Sequence, residues 1–192
     1  WNLLGTWSFS AGAVGCVRIR NIGASGYVAA DAVKWVPVEV SEVVVDDPEA
    51  VFVGAWSSSS TILGYYGTGY RLDGNSGKGS KSATFKPTLP AAGSYQVYIR
   101  YPASSSRAKN VPVDVVHAGG TSTLTVNQQV NGGKWNLLGT WSFSAGAVGC
   151  VRIRNAGTSG YVVADAVKWV PVEVSEIVVD DPAAVFVGAW GL

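Results

Sequence analysis

Methionine is absent from the 192 residues, histidine occurs once and cysteine twice. A single histidine, His117, leaves a Ser-His-Asp nucleophilic site hard to assemble, and its place before Gly119-Gly120 reads as structural or surface. No catalytic residue is therefore assigned. Charge is also scarce: 14% of residues are Asp, Glu, Lys or Arg, against about 25% in ordinary globular domains. With a net charge of +1, attraction to nucleic acid or to an anionic membrane has little behind it. No apolar run is long enough for a membrane-spanning helix, and no stretch reads as a helix of ordinary length. What remains is 47% apolar residues, 24 glycines, eight Trp and eight Tyr, a composition of short strands and tight turns. Low charge with abundant Ser, Thr and Gly also suits an extracellular or cell-surface protein.

The chain repeats itself. WNLLGTWSFSAGAVGCVRIRN opens the sequence and returns at Trp135. Residues 1–58 align without a gap on 135–192, differing only at Ile22/Ala156, Ala24/Thr158, Ala29/Val163, Val43/Ile177, Glu49/Ala183, Ser57/Gly191 and Ser58/Leu192. A period of 134 residues is too long for a solenoid unit and has the size of an independent domain plus linker. WVPVEVSEVVVDDP and WVPVEVSEIVVDDP mark the junctions. The expected organisation is the end of one repeat (1–36), a linker (37–42), one complete repeat (43–170), a second linker (171–176) and the start of the next repeat (177–192). The linkers begin with proline, lack glycine and carry β-branched residues, so they should be stiff.

Alternation and turn signals place about eight strands in the complete repeat. They fall near 51–56, 81–87, 94–101, 111–117, 121–128, 135–143, 149–154 and 161–170. In Ser94–Tyr101, Tyr95, Val97 and Ile99 share one face and Gln96, Tyr98 and Arg100 the other. Asn131-Gly132-Gly133 reads as a hairpin turn. Many short strands in a unit of this length predict an all-β fold, an antiparallel β-sandwich of jelly-roll form. Such a unit buries a core without metals or disulfides.

Three stretches carry more than propensity: LPAAGSYQVYIRY, VVHAGGTSTLTVNQQVNGGKWNLLGTWSF and SGYVVADAVKWVP. Together they resemble the golvesin/xanthan-lyase carbohydrate-binding-like domain across 43–170 and the matching parts of both flanks. The resemblance implies a galactose-binding-like β-sandwich, an extracellular accessory module without activity of its own.

Candidate sites follow. Trp56, Tyr65, Tyr66 and Tyr70, with Arg71 beside them, lie in the one long irregular stretch, and Arg107 and Asn110 lie in a nearby polar loop. Aromatic faces with hydrogen-bond donors suit a glycan, and suit packing or a subunit interface equally. Asp165 and its copy Asp31 fall among apolar neighbours, where a carboxylate must accept hydrogen bonds, most simply from turn amides. Calcium competes for these carboxylates, yet no loop has the required ligand spacing, so no metal and no cofactor is assigned. Cys16 and Cys150 occupy equivalent positions. Val151 and Ile153 should face the core, which turns Cys150 outward with Arg152 and Arg154 as a candidate inter-unit thiol; the other reading is a half-buried free thiol.

Two functions are open. The first is a non-catalytic structural repeat of a large extracellular protein, building a filament, sheath or adhesin through contacts with neighbouring repeats and other copies of the chain. The alternative is a carbohydrate-binding module attached to a secreted polysaccharide-degrading enzyme, with polysaccharide as partner.

Overall fold

A computed structural model of the chain describes residues 1–7, 9, 15–37, 41–172 and 176–187. Residues 38–40 and 173–175, the middles of the two expected linkers, lie outside the described residues. In chain order the strands begin with β1 (Ala32–Trp35), β2 (Val43–Asp46), β3 (Val51–Val53), β4 (Ser57–Ser59) and β5 (Tyr70–Leu72). They continue with β6 (Ser82–Phe85), β7 (Gly93–Arg100), β8 (Val111–His117), β9 (Gly120–Val126) and β10 (Asn136–Phe143). The last are β11 (Cys150–Arg154), β12 (Val163–Ala164), β13 (Ala166–Pro171) and β14 (Ile177–Asp180). The chain divides into two units, one comprising Glu39–Glu173 and the other Trp1–Val38 with Val174–Leu192.

The larger unit is an antiparallel β-sandwich. One layer is the four-stranded sheet β10-β7-β13-β2 and the other the five-stranded sheet β3-β6-β11-β8-β9. Alternation dictates the core. Tyr95, Val97, Ile99, Val167 and Trp169 come from the first sheet, and Phe85, Val113, Val115, Val151 and Ile153 from the second, all essentially without exposure. Each such side chain contributes on the order of 1.5–3 kcal/mol of burial. A small third sheet, β12-β5-β4, closes one end.

Three local expectations change. The long stretch expected to be irregular after Trp56 opens on a strand, β4, in Ser57–Ser59, paired with β5; serine's weak β propensity hides it from a sequence reading. Asn131-Gly132-Gly133 does not make a hairpin, because β9 pairs with β8 while β10 pairs with β7 in the opposite sheet. Its glycines serve close approach instead: a Cβ at Gly132 would lie 2.3 Å from the Ala103 nitrogen. Cys150 is buried rather than turned outward. The alternation itself is as expected, with Val151 and Ile153 inward and Arg152 exposed. Cys150, however, opens β11 opposite Val116, where its surroundings cover it. Burial pushes its thiol above the ordinary range, with Arg152 and Lys86 opposing that shift. Cys16 is exposed. A thiol reagent should therefore modify Cys16 at once and Cys150 only on unfolding; two fast equivalents would contradict this burial.

In the smaller unit β1 pairs antiparallel with β14, Ala32 opposite Asp180 and Trp35 opposite Ile177. The equivalent positions pair in the larger unit, where Ala166 lies opposite Asp46 and Trp169 opposite Val43. Each pair runs into a 3₁₀ turn with an aspartate cap, Asp47–Glu49 after Asp46 and Asp181–Ala183 after Asp180. Glu49 completes a capping box by accepting from the Asp46 amide at 2.8 Å. Ala183 at the equivalent place provides no such acceptor.

Candidate functional site

The expected aromatic and polar group disperses into packing, with one exception. Tyr70 is only 1% exposed, and its hydroxyl accepts from Arg107 at 3.2 Å and from the Ile62 amide at 3.3 Å. Arg107 is itself buried, its guanidinium lying 5.5 Å from the Tyr70 ring centroid and 5.9 Å from that of Tyr161. Tyr65 packs at 6.1 Å from Tyr70. Trp56 donates to the Val53 carbonyl at 3.1 Å and packs on Phe52. Arg71 pairs with Asp47 at 2.8 Å and lies over the Phe52 ring. Asn110 donates to the Gly157 carbonyl at 2.8 Å. Tyr70 and Arg107 are buried by these contacts, while Arg71 and Asn110 each keep exposed surface beside theirs. His117 likewise stacks on Trp141 and meets the Ser122 hydroxyl at 3.0 Å.

Tyr66 is the exception. It remains 37% exposed, and its ring lies 5.6 Å from that of Trp135, tilted by 54°. The two rings sit beside the outward face of the four-stranded sheet. On that face Lys168 of β13 lies directly opposite Tyr98 of β7. The Lys168 ammonium is 5.1 Å from the Trp135 ring centroid and 5.5 Å from that of Tyr98. The Arg100 guanidinium lies 6.0 Å from Trp135. Glu42 holds the Lys168 ammonium from the side at 3.0 Å. A sugar ring presents an apolar C–H face to such rings, and cations at their border take its oxygen substituents.

Two loops build this surface and are clamped to each other. Gly64 (φ +106) and Gly133 (φ +75) touch, so that a Cβ at Gly64 would lie 2.9 Å from the Gly133 Cα. Only glycine allows that approach. Arg100 donates from Nε to the Gly64 carbonyl at 3.0 Å. The Tyr66 amide donates to both oxygens of Asp165, at 3.0 and 3.3 Å. Asn136 donates to the Asn131 and Lys134 carbonyls at 3.0 Å each, fixing the turn that presents Trp135.

Asp165 falls where the chain leaves β12 in the small sheet and enters β13 in the four-stranded one, so strict alternation stops there. It has no exposed surface. Burial pushes its carboxyl up to about 8, with the Tyr66 amide and Arg100 working against the shift and Asp46 and Asp47 adding to it. Its copy Asp31 is exposed. Among the described residues no group of three or more His, Cys, Asp or Glu converges to hold a metal.

Trp135, Tyr98, Lys168 and Arg100 escaped the sequence reading as site residues. The outward positions of Tyr98 and Arg100 follow from alternation in β7. The glycine-rich turn before Trp135 is a further signal, misread as a hairpin. The pairing of Tyr66 with Trp135 joins residues far apart in sequence and has no local signal.

A family model described as the Golvesin C-terminal domain matches residues 43–171. The xanthan lyase of Bacillus sp. (strain GL1) is 48% identical over 140 residues, which are 70% of this chain and 15% of that enzyme. The structure of Paenibacillus xanthan lyase superposes with a TM-score of 0.68 at 54% identity, over 69% of this chain and 13% of that one. A family 35 carbohydrate binding module from Clostridium thermocellum shares the fold, with a TM-score of 0.50 at 17% identity over 69% of this chain and 99% of that one. The chain thus spans a small part of the lyases it matches, and it belongs to the Golvesin C-terminal domain family.

Proposed function

We propose that residues 43–171 form a carbohydrate-binding module, non-catalytic itself, of an extracellular polysaccharide-degrading protein. The observation that carries this reading is the Tyr66–Trp135 pair, two aromatic rings set beside the outward sheet face with a cation at their border. The similarity to two xanthan lyases supports it. The filament, sheath or adhesin role expected from the near-identical segments has no comparison behind it, and the carbohydrate-binding alternative takes its place. The organisation into 134-residue repeats joined at 37–42 and 171–176 remains part of the proposal, supported by the matching registers of β1–β14 and β13–β2.

Retention on a panel of immobilised polysaccharides tests the reading. The chain should be retained by at least one polymer, and Tyr66→Ala and Trp135→Ala should each weaken binding by roughly tenfold or more, in line with about 1–3 kcal/mol for a lost aromatic stacking partner. Trp56→Ala, which alters packing away from this surface, should bind as the parent does once folded. No retention on any polymer would reject the module reading.

A further inference from the structure

We infer that strands β2–β9 form an acceptor surface that either of two segments of this chain can complete, residues 135–170 as observed or residues 1–36 in their place, and that the two exchange.

The segments are one sequence except at Ile22/Ala156, Ala24/Thr158 and Ala29/Val163. In the larger unit 135–170 supplies β10, β11, β12 and β13. There Phe143, Val151 and Ile153 are 3% exposed or less. Their equivalents Phe9, Val17 and Ile19 are 51%, 37% and 43% exposed. Among the described residues of 1–36, only β1 is a strand. The same sequence has two fates, and the partner strand decides between them. β10 forms on β7, and β11 forms between β6 and β8. In 1–36 only β1 has such a partner, β14. The rest of the segment keeps an apolar face and backbone groups that fit β2–β9.

The β1–β14 pair shows that the copy makes the required contacts. β14 is the copy of β2, and it takes β1 in the register in which β2 takes β13. Side chains follow the backbone. Lys34 lies 5.0 Å from the Trp1 ring centroid and pairs with Glu176 at 3.3 Å. Lys168 lies 5.1 Å from that of Trp135 and pairs with Glu42 at 3.0 Å.

The connection also permits exchange. Trp169, near the end of β13, lies opposite Val43, the first residue of β2. With Trp35 in its place, residues 36–42 would close β1 and β2 into a hairpin, and closing so short a loop costs little entropy.

Three positions set the balance, and they favour 135–170. Val163 has no exposed surface, and Ala29 would leave part of its volume empty. The buried Thr158 hydroxyl donates to the Asn155 carbonyl at 2.8 Å, a bond that Ala24 cannot make. Ile22 would add bulk where Ala156 is half-buried. The form completed by 1–36 is therefore the minor one.

Making the segments identical tests this. Ile22→Ala/Ala24→Thr/Ala29→Val gives 1–36 the residues of 135–170 and changes nothing in the observed sandwich. Cys150 is buried and Cys16 exposed, so chains carrying Cys16→Ala or Cys150→Ala report which segment is held. Each chain is unfolded in urea, refolded at a concentration where gel filtration shows monomer, checked by circular dichroism and exposed briefly to a thiol reagent. Without the triple substitution, Cys150 should label fast in under about a tenth of the molecules. With it, the fraction should rise about fivefold, to roughly half, and that of Cys16 should fall to roughly half, because equal free energies give equal populations. Adding Val163→Ala to the triple variant should carry Cys150 labelling past half. A Cys150 fraction unchanged by the triple substitution overturns the inference. Complete fast labelling of both cysteines would mean a lost sandwich rather than an exchange, and overturns it too. So does protection of both, which would mean that 1–36 is covered elsewhere.

Discussion

Replacing Asp73 with alanine is expected to cost about 2–4 kcal/mol, a large share of the roughly 5–15 kcal/mol that holds a domain folded. Asp73 has no exposed surface. Its oxygens accept from the amides of Asn75 and Val162 at 2.9 Å each, from Lys78 Nζ at 2.8 Å and from Asn155 Nδ2 at 3.2 Å. Asn155 in turn accepts from the amides of Gly79 and Lys81 and donates to the carbonyls of Ser76 and Gly77, so one buried pair organises the whole 73–81 loop. Alanine would strand the Asn75 and Val162 amides and the Asn155 side-chain amide, while Lys78, partly exposed, keeps its bond to the Gly160 carbonyl at 2.7 Å; buried donors left without an acceptor cost more than their hydrogen bonds contribute. Urea unfolding monitored by tryptophan fluorescence measures the loss; a loss under about 1 kcal/mol would contradict the network. Acid should act in the same direction. Burial raises the Asp73 carboxyl, yet Lys78, the Val162 and Asn75 amides and Asn155 outweigh it and hold the group below its ordinary 3.8. Its contribution is present above the ordinary value and is lost as pH falls through the lower one.

Asp165 should impose the opposite pH dependence over a wider range. Its carboxyl is raised from 3.8 to about 8, so between those values the folded chain holds a proton that the unfolded chain has released. Stability from this group is greatest below the ordinary carboxylate value and declines as pH rises through the folded one, by up to about 1.4 kcal/mol per pH unit. Asp165→Asn keeps an oxygen for the Tyr66 amide and removes the titration. The variant should therefore gain on the parent as pH rises from 5 to 8 in urea unfolding. Parallel profiles for the two proteins would show that Asp165 does not take up a proton on folding.

These two carboxylates mark where sequence reasoning stopped. Asp165 drew attention because apolar residues surround it in Val162-Val163-Ala164-Asp165-Ala166-Val167, and burial of a carboxylate there has only a few physical outcomes. Asp73 sits in Leu72-Asp73-Gly74-Asn75, indistinguishable from an ordinary polar turn; its role depends on Asn155 and Val162, more than 80 residues away. The sandwich itself was legible because period-two alternation in 94–101, 111–117 and 149–154 is a local consequence of one buried face. The site was legible only at Tyr66. Tyr70 and Arg107 look like surface ligands by residue type, and their burial is decided by a loop that folds back so that the Tyr70 hydroxyl collects its donors. Cys150 shows a related limit. Alternation gives the direction of a side chain from the sheet, and neighbours on that face decide whether it reaches solvent.

The most direct measurement of where this chain meets carbohydrate is an amide and indole chemical-shift titration, with the oligosaccharide of whichever polysaccharide retains it. The account predicts shifts concentrated at Tyr66, Tyr98, Arg100, Lys168 and the Trp135 indole, around the aromatic pair on the outward sheet face. The chain also has a cleft of about 290 Å³ lined by Ser58, Ser59, Ser60, Thr68, Tyr70 and Arg71. Shifts gathered there, with the Trp135 indole unmoved, would contradict the central claim.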